Sequence, residues 1–263
     1  MLREVPRLPP VELAPRVRLV RLPLRADVVD AIRLRLTRAR QATGPDALAH
    51  ELGDVRFAAT FAPRHRAPDE NERWHGALAV FGLVEGPRPA LLAYTLRPLD
   101  ELAAVAPPQG WSDDPVDWEA AQETLLLPRI ERRAGLEVPF AAEVWPKARI
   151  VDPAKTPSGK RRIPRIREID AAKLEQQRQP GLSRAEAYGV WLQRQLQAAV
   201  IVLTSVRIMG ETTAAKGDGR SFGVLALRLN GVLRLAGAAT MTVGLLRGVG
   251  RRRAYGLGLL VLA

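Results

Sequence analysis

The fold of this chain is constrained first by the order of its strand-like and helix-like segments. Residues 16–24, with the sequence RVRLVRLPL, alternate apolar and basic side chains, which is typical of a half-buried strand. Residues 28–41 favour a helix, because Asp27 can cap it, Ala, Leu and Arg are strong helix formers, and Gly44-Pro45 would end it. The stretch IRLRL within this segment also alternates with period two, so a strand remains the alternative there.

Three further strand-like stretches follow, at 55–62, 76–84 and 90–97. A strand, a helix and two strands in this order begin a ferredoxin-like unit. Residues 98–135 resemble a helical insertion, in which Asp114-Pro115 starts a helix, VDWEAAQETLLL, that Pro128 would end or kink. Another strand is expected at 137–145.

The C-terminal part repeats this pattern incompletely. Ser183 is expected to cap a helix, and a strand from about residue 200 leads through the turn KGDGR into VLALRLNGVLRL. Asn230-Gly231 in that stretch predicts a type I′ hairpin, followed by a helix of small residues and a last strand. We therefore predict an α+β fold of two ferredoxin-like (RRM-like) domains in tandem, with a helical insertion in the first. The expected parts are an N-terminal domain over 1–150 with its insertion at about 98–135, a basic segment and connecting helix over 151–199, and a C-terminal ferredoxin-like half over 200–263.

The charge of the chain predicts a polyanionic partner. Its 263 residues include 40 Lys and Arg against 28 Asp and Glu, a net charge of +12, while 47% hydrophobic residues suffice for a core. The chain has no cysteine and three histidines without metal-ligand spacing, so we expect neither a metal nor another cofactor. The N-terminus has no apolar signal segment, and the longest uncharged run near the C-terminus is too short to span a bilayer. We expect a cytoplasmic protein with no membrane partner.

Residues 147–167, KARIVDPAKTPSGKRRIPRIR, form the most basic segment. It carries eight positive charges and one negative charge, and its prolines and glycine exclude a regular helix. It is either a solvated linker or an extended cationic strip that follows a phosphate backbone. The candidate RNA-binding residues in the second interpretation are Lys155, Lys160, Arg161, Arg162, Arg165 and Arg167.

The stretch GVGRRRAYGLGLL at 248–260 combines glycines with consecutive arginines. It fits neither the dinucleotide fingerprint nor the P-loop, whose spacings it lacks. Its glycines are either ordinary turn residues, or they let a phosphate approach bare backbone N–H groups beside the arginines. The candidate RNA-binding residues here are Gly248, Gly250, Arg251, Arg252, Arg253, Gly256 and Gly258.

Three motifs together resemble one family. LLRGVGRRRAYGLGLL resembles the C-terminal glycine-rich loop of CRISPR repeat-RNA endonucleases of the RAMP superfamily. AAEVWPKARIVDPAKTPSGKRRIP is similar to the family's strand and basic segment that hold the repeat hairpin, and AYGVWLQRQLQ resembles the helix that follows; together the motifs cover roughly 140–263. The resemblance implies paired ferredoxin-like domains and metal-independent cleavage, in which a 2′-OH attacks the adjacent phosphate and leaves a 2′,3′-cyclic phosphate. It also implies that the CRISPR repeat RNA, a stem-loop, stays bound among other subunits of a CRISPR effector complex.

The chain departs from this family in its first helix. Many members carry a histidine there, often with a tyrosine, whereas 28–41 offers only arginines. Arginine is a poor general base, but it can orient the 2′-OH and stabilise charge on the phosphorane. Arg38 and Arg33 are therefore the catalytic candidates, and His50, just after the helix, is the alternative, with a surface role as its other interpretation. The arginine-rich helix and the insertion favour the type IV effector branch.

Two other functions compete with cleavage. The protein could be a non-catalytic RNA-binding subunit of a CRISPR ribonucleoprotein complex that keeps the fold but lost cleavage with the histidine. It could also be a basic ribosome- or membrane-associated protein, which the terminal loop and the lack of a basic amphipathic helix argue against.

Overall fold

A computed structural model of the protein describes residues 10–38, 78–104, 114–152, 165–215, 221–250 and 256–263. The strand predicted at 55–62, the turn KGDGR and all three histidines lie outside the described residues, and so does His50 as a catalytic candidate.

The first sheet has the strand order of a ferredoxin-like unit. A short helix α1 (Pro10–Leu13) and a 3₁₀ turn (Ala14–Arg16) lead into it. Its elements are β1 (Arg18–Pro23), α2 (Ala26–Arg38), β2 (Val80–Val84), β3 (Ala90–Thr95), α3 (Leu99–Ala104) and β4 (Gln122–Leu125). The strands are antiparallel in the order β2-β3-β1-β4, so the two strands that follow the two helices lie at the sheet's edges.

Helix α2 forms where the sequence predicts it. Val28, Val29 and Ile32 lie on one face of the helix and are buried against the sheet. The helix begins at Ala26, so Asp27 lies in its first turn and not at the predicted N-cap. There Asp27 accepts a hydrogen bond from Arg25, which lowers the pKa of its carboxyl group.

The helix predicted from Asp114-Pro115 to Leu127 is wrong. Gln122–Leu125 forms β4 and pairs antiparallel with β1, because edge pairing supplies backbone hydrogen bonds that helix propensity alone does not outweigh. The helix starts only afterwards, as α4 (Leu126–Glu131), and Pro128 lies in its first turn, where the missing N–H is not needed. The range 98–135 thus contains the second helix and the fourth strand of the first unit.

The second sheet repeats the topology. The elements of this second unit are β5 (Glu137–Val144), β6 (Lys147–Asp152), β7 (Arg165–Asp170), α5 (Ala171–Arg178), α6 (Arg184–Leu196), β8 (Ala199–Ala215), β9 (Ser221–Leu235), α7 (Ala238–Arg247) and β10 (Leu260–Leu262), of which β6 and β7 form a separate two-stranded sheet. The order is β10-β5-β9-β8, all antiparallel, with the β6–β7 hairpin and α5 inserted between β5 and α6. The tandem ferredoxin-like fold is confirmed. Strand β5 lies within the predicted 1–150 range, yet it pairs in the second sheet and completes it.

The hairpin predicted at Asn230-Gly231 is wrong, because β9 runs straight through both residues. Gly231 lies between β5 and β8, and a Cβ atom there would be 2.7 Å from the Val202 carbonyl oxygen and 2.8 Å from Cε1 of Phe140. Glycine at this position therefore permits close packing of the sheet and does not form a turn. The β8–β9 register shifts nearby, between Leu203 and Ser205.

A buried hydrogen bond joins the two units. The hydroxyl of Tyr94, on β3, donates to the carbonyl oxygen of Leu260, on β10, at 2.7 Å. Tyr94 is fully buried, and burial raises the pKa of its phenol well above the usual range, so the group stays protonated and can donate. Val80, Tyr94 and Leu260 belong to one hydrophobic cluster, so the core continues from one unit into the next.

Candidate nucleic-acid interface

The described parts of the glycine-rich loop have an unusual backbone. Gly248 follows the last residue of helix α7. Positive φ angles of 66°, 73°, 75° and 91° occur at Gly248, Gly250, Gly256 and Gly258. Such angles strain any residue with a Cβ atom, so the four predicted glycines share one physical requirement. Arg251, Arg252 and Arg253 lie outside the described residues.

The two limbs of this loop are held together at its base. The amide of Val249 donates to the carbonyl oxygen of Gly258 at 2.9 Å, and the amide of Gly258 donates to that of Glu143, on β5, at 2.6 Å. A Cβ on Gly250 would lie 3.0 Å from the Trp145 carbonyl oxygen and 3.3 Å from the Trp191 ring. The base of the loop therefore packs between the start of β6 and helix α6.

The described parts of the basic segment lie in β6 and β7, whereas its three prolines lie outside the described residues. Strands β6 and β7 pair antiparallel, with Arg165 opposite Asp152 and Arg167 opposite Ile150. The sequence that connects these strands lies outside the described residues and contains Lys155, Lys160, Arg161 and Arg162. The hairpin places both ends of the basic segment at one point of the molecule.

Asp170 anchors the root of this hairpin. Its carboxylate caps α5 by accepting from the amides of Ala172 and Lys173, and it also accepts from the hydroxyl of Tyr188, on α6, at 3.1 Å. Arg184 donates to the same hydroxyl at 3.1 Å and lies over the Tyr188 ring. Burial raises the pKa of Tyr188, and its hydrogen bond raises the pKa of Arg184, so the phenol is neutral and the guanidinium charged. Tyr188 thus acts as a structural anchor.

A cleft lies where the hairpin root, helices α5 and α6 and the glycine-rich loop meet. Its volume is about 380 Å³, and its lining includes Lys147, Glu175, Arg178, Arg194, Trp191 and Gly250. The two basic segments that the sequence singles out therefore border one cleft. No sequence motif marks Glu175, Arg178 and Arg194, because charged residues spaced along helices have no signature that separates them from a solvated face.

A second, larger groove of about 590 Å³ lies between the two units. Gly82 and Glu85 of the first unit, Glu143 and Arg228 of the second, and Gly256 of the loop all line it. Arg228 donates from Nε to Glu143 at 3.1 Å. The groove is therefore bounded by both sheets and by one limb of the loop.

The structure separates the two arginines predicted in the first helix. Arg33 bridges Asp30 and Glu85, each at 3.4 Å, and Glu85 lines the groove. Arg38 is exposed at the last residue of α2, one and a half turns further on. Arg33 is thus linked to the groove through a contact that the structure describes.

Two ferredoxin-like units define a tandem ferredoxin-like protein, in which Lys147, Arg178 and Arg194 line a cleft between the basic hairpin and the glycine-rich loop. Residues 85–263 match the family model described as CRISPR associated protein. That is more than half of the chain, so the protein belongs to the CRISPR associated protein family. No curated protein matches the sequence.

Solved structures share the fold. One is the CRISPR endoribonuclease Cse3 bound to a 19-nucleotide RNA, at 18% identity and a TM-score of 0.52 over 94% of this chain and 98% of that chain. Another is a chain of a CRISPR RNA-guided surveillance complex in its pre-nicking state, at 16% identity and a TM-score of 0.52 over 94% and 99%. Among the described residues, no helix is long and apolar enough to cross a membrane.

Proposed function

We propose that this protein binds the stem-loop of CRISPR repeat RNA and cleaves precursor CRISPR RNA, then stays on the mature guide RNA within an effector complex. The observation that carries the proposal is the meeting of the basic hairpin and the glycine-rich loop at one cleft. A chain with a net charge of +12 on a tandem ferredoxin-like fold suits a phosphate backbone. Relatives in fold are named as an RNA-bound CRISPR endoribonuclease and as part of an RNA-guided complex, which supports the same assignment.

The proposed reaction needs no metal. The 2′-oxygen forms a bond to the adjacent phosphorus and loses its proton, the bond from phosphorus to the 5′-oxygen breaks, and that oxygen takes up a proton. The products are a 2′,3′-cyclic phosphate and a 5′-OH. The chain has no cysteine and only three histidines from which a nitrogen or sulfur ligand set could be built, which supports this choice.

Arg33 is the best placed arginine for this chemistry. It lies between two carboxylates at the edge of the groove, and a bound phosphate would compete with them for its guanidinium. There it can stabilise charge on the phosphorane, but it is not expected to accept the 2′-OH proton, since arginine is a poor general base. His50 remains the candidate for proton transfer, and Arg38 a candidate for RNA contact or catalysis.

The type IV branch is proposed on the arginine-rich α2 alone. The range 98–135 does not support this branch as a helical insertion, because it supplies α3 and β4 to the first unit. A genomic neighbourhood that contains a repeat array and type IV effector genes would support the assignment.

The decisive experiment incubates the protein with its repeat RNA in EDTA. We expect a shorter product that ends in a cyclic phosphate, with single-turnover rates at least about tenfold lower for Arg33→Ala and Arg38→Ala and a smaller change in binding. If both variants cleave normally and His50→Ala does not, the arginines have no catalytic role.

Two other results would change the proposal. A product with a 3′-OH, or activity that EDTA abolishes in the folded protein, would contradict metal-independent cleavage. Tight binding without any product would favour the alternative, a non-catalytic RNA-binding subunit of a CRISPR ribonucleoprotein complex.

A further inference from the structure

The cleft beside the hairpin root contains a buried carboxylate that holds two arginines from different helices. The side chain of Glu175, on α5, is 2% exposed. Its Oε1 accepts from Nη1 of Arg178 at 3.0 Å and from Nη1 of Arg194, on α6, at 3.2 Å, and its Oε2 lies 3.0 Å from Nη2 of Arg194. One carboxylate thus fixes both guanidinium groups in place.

Both guanidinium groups remain open to the cleft. The side chains of Arg178 and Arg194 are 49% and 43% exposed and line the same cavity as Lys147. Three cations therefore face one carboxylate, which neutralises only one of them. A site with two excess positive charges, whose arginines are already ordered, binds an anion without a further entropic cost for fixing their side chains.

The size and position of the cleft limit what the anion can be. A volume of about 380 Å³ lies at the small end of ligand sites, so a single nucleotide fits and a base-paired stem does not. Lys147 begins the basic hairpin and Gly250 belongs to the glycine-rich loop, so a chain that follows either segment passes the cleft. The anion is therefore one link of a longer polyanion.

We propose that this cleft binds a backbone phosphate of an unpaired nucleotide next to the RNA stem, through Arg178, Arg194 and Lys147. Glu175 acts as a positioning residue, because it aims both arginines and touches no RNA itself. This inference rests on the proposed function and adds a single-strand site that the basic hairpin and the loop do not by themselves provide.

The test measures binding of a labelled single-stranded oligouridylate and of a blunt RNA duplex by the full-length protein. Arg178→Gln leaves Arg194 to pair with Glu175, so we expect it to fold. We expect it to weaken single-strand binding at least about fivefold at about 0.1 M salt, and to reduce the slope of log K against log[salt] by ~0.7. Duplex binding should change little. Arg132→Gln, the same charge change at an exposed residue of the turn after α4, is the matched control and should leave both affinities unchanged.

Glu175→Gln separates positioning from simple electrostatics. This variant raises the net charge by one, so electrostatics alone predicts tighter binding. If Glu175 positions the two arginines, single-strand binding should become weaker, because a neutral amide holds two guanidinium groups less firmly. The melting temperature of the variant shows whether it is folded. Tighter binding by Glu175→Gln would overturn the positioning role, and equal affinities for Arg178→Gln and Arg132→Gln would overturn the site. If the site is overturned but the wild-type protein cleaves its repeat RNA, the proposed function stands without this site. If the wild-type protein binds no RNA, the proposed function itself is overturned.

Discussion

At the scale of single residues, glycines in this protein serve two different needs. Gly250 has a φ of 73° and lies against Trp145, so both backbone conformation and close packing exclude a larger residue. Gly231 has ordinary strand geometry, and only the neighbouring Val202 and Phe140 exclude a Cβ atom. Both positions require glycine, but the physical reason for the requirement differs between them.

Gly231→Ala is expected to destabilise the protein by about 2 kcal/mol or more, because the new methyl group would overlap a backbone oxygen that cannot move without disturbing the sheet. Gly189→Ala is the matched control. A Cβ atom at this position inside α6 would lie 3.8 Å from the Ile201 carbonyl oxygen, and alanine should stabilise the helix by about 0.5–1 kcal/mol. Urea unfolding of both variants checks the opposite signs. Equal stability of the two would show that the sheet relaxes around residue 231.

At the scale of elements, the root of the basic hairpin depends on one carboxylate. Asp170 ends β7, caps α5 and accepts from Tyr188 on α6, so it fixes the hairpin to two helices. Ser183 and Glu186 form a capping box that starts α6 in the place where Tyr188 can reach Asp170. Local capping thus positions an element that the proposed function requires.

Asp170→Ala should cost about 2 kcal/mol, since α5 loses its cap and the buried Tyr188 side chain loses the acceptor of its hydroxyl. Asp170→Asn retains an oxygen that can accept both bonds and should cost less. Hydrogen exchange of the β6–β7 amides is the specific measurement, and we expect faster exchange in the alanine variant. Unchanged protection of these amides, with a lower overall stability, would limit Asp170 to capping α5.

At the scale of the whole molecule, Tyr94 links the two ferredoxin-like units through the bond to Leu260. Burial raises the pKa of its phenol, so the folded protein keeps a proton that the unfolded chain releases near pH 10. This contribution to stability is present below pH 10 and decreases as the pH rises above it.

Tyr94→Phe should therefore cost about 1–3 kcal/mol at neutral pH, because the Leu260 carbonyl oxygen loses its buried donor. Above pH 10 the difference between wild type and variant should shrink by about 1 kcal/mol per pH unit, since only the wild type has the phenol to protect. Denaturant unfolding from pH 8 to 11 measures both effects. A difference that stays constant with pH would mean that the phenol is not shielded at the junction between the units.

Several elements can be predicted from the sequence because local rules control them. Periodicity predicts the alternation in β1 and the buried face of α2, and both are present in the structure. Short-range sterics and capping account for the Ser183 cap and for glycine at the four positive-φ positions. The expectation of a polyanionic partner also comes from composition, because the net charge of +12 is counted without the fold.

Where local signals compete, contacts between distant segments select the structure. Asn230-Gly231 favours a turn in isolation, but Phe140 and β8 hold it in a strand, and Gln122–Leu125 favours a helix until β1 offers an edge. The cleft of Glu175, Arg178 and Arg194 joins two helices, with Lys147 contributed by a strand further back in the chain. Propensity and capping act over a few residues, so they can be predicted directly from the sequence. Strand pairing and charge contacts between distant segments depend on three-dimensional distance, which no local sequence pattern encodes.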